Sequence, residues 1–208
     1  MQVKKESVGQ IRQKNVALIL TAAKTEFVTH GFKGASIKRI AERACIPRAN
    51  IHYYFNDKTD LYQQLLSEII VSWNTSFDTL SIDDDPKIIL TAYIREKIMH
   101  AKHDPDGSKI FASEIIHGAP ILTDYLHTEF KQWLDKKILV IESWIERGQI
   151  DVINPYHLLF LIWSSTQHYA DFNVQVLAGF GKGAMNDEDF DDVVDSLTKI
   201  ILKGCGLT

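Results

Sequence analysis

Cysteine and proline are scarce in this chain, two of one and five of the other among 208 residues. Cys45 and Cys205 sit far apart in sequence, so no disulfide framework is read, and a reduced, cytosolic protein is expected. A redox role for Cys45 stays open. No run of eighteen apolar residues occurs, which excludes a helical membrane span as an expectation. The N-terminus has no apolar core of the kind a secretory signal needs. No strand-length alternation of apolar and polar residues and no internal repeat is found. Histidine and cysteine do not cluster in sequence, so neither a metal nor another cofactor is expected.

What is present is helical periodicity and an uneven spread of charge. The net charge is −4. Residues 1 to 60 nevertheless hold eleven Lys/Arg against five Asp/Glu, and residues 61 to 208 hold twelve against twenty-two. A basic N-terminal end on an acidic body is the electrostatic pattern of a nucleic-acid contact confined to one end. The chain reads as all-α with about nine helices. It divides into a basic segment at 1–57, the expected nucleic-acid end, and an acidic helical body at 58–208. The first helix is expected from about Val8 until Gly31 stops it. A fourth runs from Lys58 to about Phe77, capped by Asn56-Asp57, and a fifth from Pro86 to about His103. A sixth runs from Pro105 to near Gly118, a seventh from about Pro120 to Arg147, an eighth from Asn154-Pro155 to about Leu177, and a last from Asp187 to about Lys203.

Residues 36 to 58 carry the densest signal. Ser36 suits an N-cap, and Ile37, Ile40, Ala41 and Ala44 follow the spacing of one buried helical face. A second short helix begins near Pro47 and ends near Phe55. With Ile51 turned inward, Ala49 and Tyr53 fall on the opposite face, flanked by Asn50 and His52, while Arg48 projects from the N-terminal end. That face bears no carboxylate and has the size and hydrogen-bonding groups to enter a DNA major groove. Spacing alone leaves open a plain surface helix pair. Taken with Phe27, Gly31-Phe32, Gly34, Lys58 and Leu61, however, the stretch resembles the helix-turn-helix of the TetR family of bacterial repressors, over about residues 11 to 66. Three positions depart from the family pattern. Cys45 stands where a turn glycine is usual, Pro47 where a capping serine is common, and His52 where a phosphate-contacting tyrosine is common. The resemblance implies a homodimer, paired through its eighth and ninth helices, on a palindromic double-stranded operator. Arg48, Asn50 and Tyr53 would meet bases, and Lys4, Lys5, His52, Lys58 and Ser36 would lie at or near the phosphates.

In the body, Ile162 to Phe172 is the most unusual stretch. Trp163, Gln167 and Asp171 fall one turn apart on one stripe. A buried Gln needs partners for its donors and acceptor, and a ligand, the protein's own groups or a second subunit would each supply them. This stretch, with Trp73, Phe111, Glu114, Gly118-Ala119-Pro120, Pro155 and His157-Leu158, resembles the pyrimidine-utilisation repressors within the same family. The likeness implies an effector such as uracil or thymine, held by Trp73, Trp163 and Gln167, with Phe111, Glu114 and His168 as further candidates. A repressor for an unrelated small or lipophilic ligand is the alternative. Catalysis is not expected. Ser164-Ser165, His168 and Asp171 share one helical segment and offer no nucleophile elbow or oxyanion hole. His100, His103, Asp104 and Asp106 read as a solvated helix end rather than part of a metal site.

Overall fold

Side-chain caps set five of the helix starts. The computed structural model describes residues 8–207, so Lys4 and Lys5 lie outside the described residues. Helix α1 spans Val8–Gly34, α2 Ile37–Ala44 and α3 Arg48–Tyr54. Asp57 accepts the Asp60 N–H at the start of α4 (Lys58–Asp78). Asp85 accepts from Lys87 and Ile88 at α5 (Pro86–His103), and Asp104 from Gly107 at α6 (Pro105–Ile116). A short α7 (Thr123–Tyr125) and a π-helical turn, Leu126–Phe130, lead into α8 (Lys131–Glu146). Asn154 caps α9 (Pro155–Asp171), α10 is Asn173–Phe180, and a reciprocal Asn186–Asp189 capping box opens α11 (Asp187–Gly204). These caps satisfy backbone N–H groups that the first helical turn leaves orphaned. No strand occurs among the described residues.

Three expectations need correction. Ser36 occupies the N-cap position of α2, yet its hydroxyl makes no capping bond. Its own N–H donates instead to buried Glu26, which Arg39 also holds. As expected, Gly31 stops the first helix, at the non-helical φ 64° and ψ 173°; a separate turn then leads to Gly34. The expected seventh helix is three pieces. The π turn places an extra residue in the rod, so that Tyr125 meets Asn74 while Phe130 packs near Trp163. The expected eighth helix breaks at Phe172 (φ −114°, ψ 29°), whose ring stacks back on His168.

Two large apolar cores result, beside a smaller cluster of Ile98, Val193 and Val194. One gathers α1 to α4 with Ile110 of α6 and includes Ile19, Phe27, Ile40, Ile51, Phe55, Leu61 and Leu65. The other gathers α5, α8, α9 and α11 around Leu90, Ile94, Ile141, Trp144 and Ile162. Helix α4 belongs to both: Leu61 to Trp73 pack in the first, Phe77 in the second. No helix among the described residues is long and apolar enough to cross a membrane.

Candidate functional site

The short helix α3 is held by its two buried side chains, Ile51 and Phe55. Half-buried Tyr54 adds a hydroxyl that accepts from Asn15 Nδ2 of α1 at 3.0 Å. Helical geometry then points the remaining side chains outward. Arg48, Ala49, Asn50, His52 and Tyr53 are all exposed, and Tyr53 is 76 % so. The turn before α3 is closed by Cys45 at φ 53° and ψ 38°. Its N–H bonds to Glu42 O at 3.2 Å, and the Ile46 N–H bonds to Ala41 O at 3.1 Å. Cys45 therefore adopts the left-handed conformation that a glycine takes without strain.

Lys58 differs from its neighbours. Its ammonium donates to the carbonyls of Lys33 (3.3 Å) and Ala35 (3.1 Å) and lies 4.8 Å from the centre of the Phe32 ring. It ties the start of α4 to the α1–α2 connection. Ser36 lies half-buried nearby with its hydroxyl uncommitted to a cap.

The second site is a cavity of about 70 Å³ where α4, α5, α6, the π turn, α8 and α9 converge. That is room for a few waters or one small ring. Of the residues expected from sequence, Trp73, Phe111, Trp163 and Gln167 line it. Trp73 meets Phe111 edge to face at 5.0 Å. Glu114 and His168 do not line it. The Glu114 carboxylate is buried and accepts the N–H groups of Ile121 (2.6 Å) and Leu122 (3.2 Å). Burial and, second to it, the neighbouring Glu114 carboxylate push the Tyr62 phenol up. His168 stacks on Phe172, rings 5.1 Å apart. Asp171, on the Gln167 stripe, accepts from Ser108 at 2.6 Å.

Sequence reasoning missed Asn74, Tyr93, Lys97, Tyr125, Phe130 and Trp133, all of which line the cavity. Most of their polar atoms already have partners. Trp163 Nε1 donates to the Tyr93 hydroxyl at 2.7 Å, and Trp133 Nε1 to Asp78 at 2.7 Å. Asn74 lies beside the Tyr125 hydroxyl. Lys97 is only 5 % exposed, with its ammonium 4.3 Å from the centre of the Trp73 ring. Burial pulls its pKa down to about 8, against the opposing pull of the more distant Glu96 and Asp171 carboxylates. Burial likewise raises Asp171, opposed by its bond to Ser108. The result is a flat aromatic enclosure with two uncommitted polar groups, the Lys97 ammonium and the Gln167 amide.

Comparison with known proteins gives concordant results. The profile of bacterial regulatory proteins of the tetR family matches residues 19–65, and that of the YcdC-like protein C-terminal region matches residues 66–208. The HTH-type transcriptional regulator RutR of Escherichia coli (strain K12) is 37% identical over 186 residues, covering 89% of this chain and 88% of that protein. Among solved structures, the ketosteroid transcriptional regulator KstR2 of Mycobacterium tuberculosis superposes with a TM-score of 0.68 at 16% identity, over 98% of this chain and 96% of that one. HlyIIR, a hemolysin II transcriptional regulator, gives 0.59 at 21% identity, over 93% and 98%. At those identities the two structures speak to the fold alone.

Proposed function

The chain belongs to the TetR family of bacterial regulatory proteins, and on that premise we propose that it is a repressor released from its operator by a small pyrimidine such as uracil or thymine. That it is a DNA-binding transcriptional regulator, and not an enzyme, follows from the family itself. The effector is the proposed step. The observation that carries it is the cavity: three indoles and two phenyl rings enclose space beside an unbonded Gln167 amide. A planar imide presents neighbouring donors and acceptors that an amide can match, and flat faces that aromatic walls accept. A long acyl chain would leave those polar groups buried and unpaired, at roughly 1–3 kcal/mol each. This weighs against the lipophilic alternative.

In the proposed mechanism Arg48, Asn50 and Tyr53 of two subunits meet base edges in successive major grooves. His52, Ser36 and the N-terminal lysines Lys4 and Lys5 serve the backbone. Lys58 supports this face by holding α4 against the α1–α2 connection. The subunits pair through α9 and α11, where Phe160, Leu161 and Ile200 are exposed and apolar. Ligand against Trp73 displaces α4 and so the separation of the two readers. A hundredfold loss of operator affinity requires about 2.7 kcal/mol of coupling, which two or three bonds made in only one state supply.

The decisive experiment is titration of wild type and Gln167→Ala with uracil and thymine, alongside operator binding with and without them. Gln167→Ala is expected to keep operator affinity and lose release. Release by pyrimidine at the wild-type concentration would refute the assignment.

A further inference from the structure

We propose that Lys97 is the specificity-determining residue of the cavity: its ammonium receives an electron-rich oxygen of the effector, a ring carbonyl or a carboxylate, while Trp73 and Phe111 flank the ring. This rests on reading the cavity as the effector site and deepens it by naming what the effector must carry.

The argument is an accounting of polar atoms. The indole N–H groups of Trp163 and Trp133 are spent on Tyr93 and Asp78. Asn74 lies beside the Tyr125 hydroxyl. Asp171, the nearest carboxylate on a facing helix, is held by the Ser108 hydroxyl. Lys97 makes no hydrogen bond or ion pair among the described residues; its contact is the Trp73 face. An ammonium has three donors and no acceptor. An aromatic face satisfies its charge in part but leaves those donors unmet. Nothing in the apolar cores demands a lysine here, since the inward stripe of α5 is otherwise Leu90, Tyr93, Ile94, Ile98 and Ala101. A buried cation that no carboxylate neutralises is complementary to a ligand oxygen bearing negative charge. Gln167, with donor and acceptor both, suits the adjoining amide edge. Together they describe a flat ring with an acceptor oxygen next to an N–H.

A second consequence is proton linkage. The charged groups around Lys97 are Glu96 and His100 on its own helix and Asp171 on α9, with the Trp73 ring from α4. Burial leaves the empty site with a lysine that loses its proton easily. An oxygen placed on the ammonium holds that proton, so binding takes protons up from solution in mildly alkaline buffer.

The test uses the full chain and three probes: uracil, thymine and benzoate. Calorimetric titration at about pH 8.5, near the lowered lysine range, is run in two buffers of different ionisation heat. Wild type is expected to show net proton uptake with any probe it binds. Lys97→Met keeps the aliphatic stem. It is expected to lose that uptake and to weaken binding roughly tenfold to a hundredfold, the range for a hydrogen bond to a charged group. Uracil binding unchanged in Lys97→Met, or wild-type binding without proton uptake, overturns the role of Lys97 and leaves the pyrimidine reading standing. Benzoate bound and lost in Lys97→Met, with no pyrimidine bound, upholds Lys97 and refutes the pyrimidine reading. No probe bound by wild type refutes both.

Discussion

At Cys45 the backbone adopts a left-handed conformation that costs a residue with a Cβ about 1–2 kcal/mol. Cys45→Gly is expected to stabilise the protein by about 1 kcal/mol, read as a higher midpoint in denaturant with unchanged slope. Lys97 is the second strained residue, electrostatically rather than sterically. Its pKa falls from 10.5 to about 8 on folding. Below the lower value both the folded and unfolded chains hold the proton and the whole penalty is present. Between the two values only the unfolded chain holds it, so stability must rise with pH across that window. The full shift corresponds to roughly 3 kcal/mol. Lys97→Met is expected to be more stable than wild type at neutral pH and to lose the alkaline rise, as checked by melting curves from about pH 7 to 10. The two residues differ in how legible they were. The strain at Cys45 follows from the turn in which it stands, because the family pattern puts glycine there. Lys97 was overlooked because α5 reads as an ordinary core helix. The available signal was one charged residue on the Leu90, Ile94, Ala101 stripe. Glu114 was misassigned for the opposite reason: sequence shows an acid near a pocket stretch but not that two backbone N–H groups fold over onto it.

Elements were legible where capping and periodicity agree. The starts at Lys58, Pro86, Pro105, Pro155 and Asp187 all follow an Asp or Asn whose side chain accepts a backbone N–H. The irregularities at Leu126–Phe130 and Phe172 carry no proline or glycine, so periodicity ran through both. The join between α4 and α6 is a tertiary product. Glu114 accepts two backbone N–H groups of the chain after Ala119 and lies beside Tyr62 of α4. Glu114→Ala is expected to destabilise the protein by about 2 kcal/mol, since it leaves two backbone donors short of a partner. It should also blunt effector-driven operator release, because α6 carries Phe111 on the cavity wall. Denaturation and a release assay on the same preparation check both. Gly107 makes a neighbouring constraint: a Cβ there would lie 2.4 Å from the Asp104 carboxylate that caps α6 and pairs with Lys24 of α1 at 2.8 Å.

For the whole molecule, the basic excess seen in the sequence lies in the N-terminal segment that contains α3, and the acidic body carries the apolar surface proposed for pairing. Replacing Leu161 and Ile200 together by Glu is expected to give a folded monomer with no measurable operator binding, as judged by light scattering and gel shift. A dimer of wild-type affinity would place the interface elsewhere. The continuity of α4 across both cores has a practical corollary for anyone exchanging reading heads between relatives. The two family profiles meet at residues 65 and 66, inside that helix. A chimera must therefore be spliced within a continuous helix, in register. One residue too many or too few would swing the grafted head by about 100° and shift it by about 1.5 Å, leaving two sound halves that no longer face the same operator.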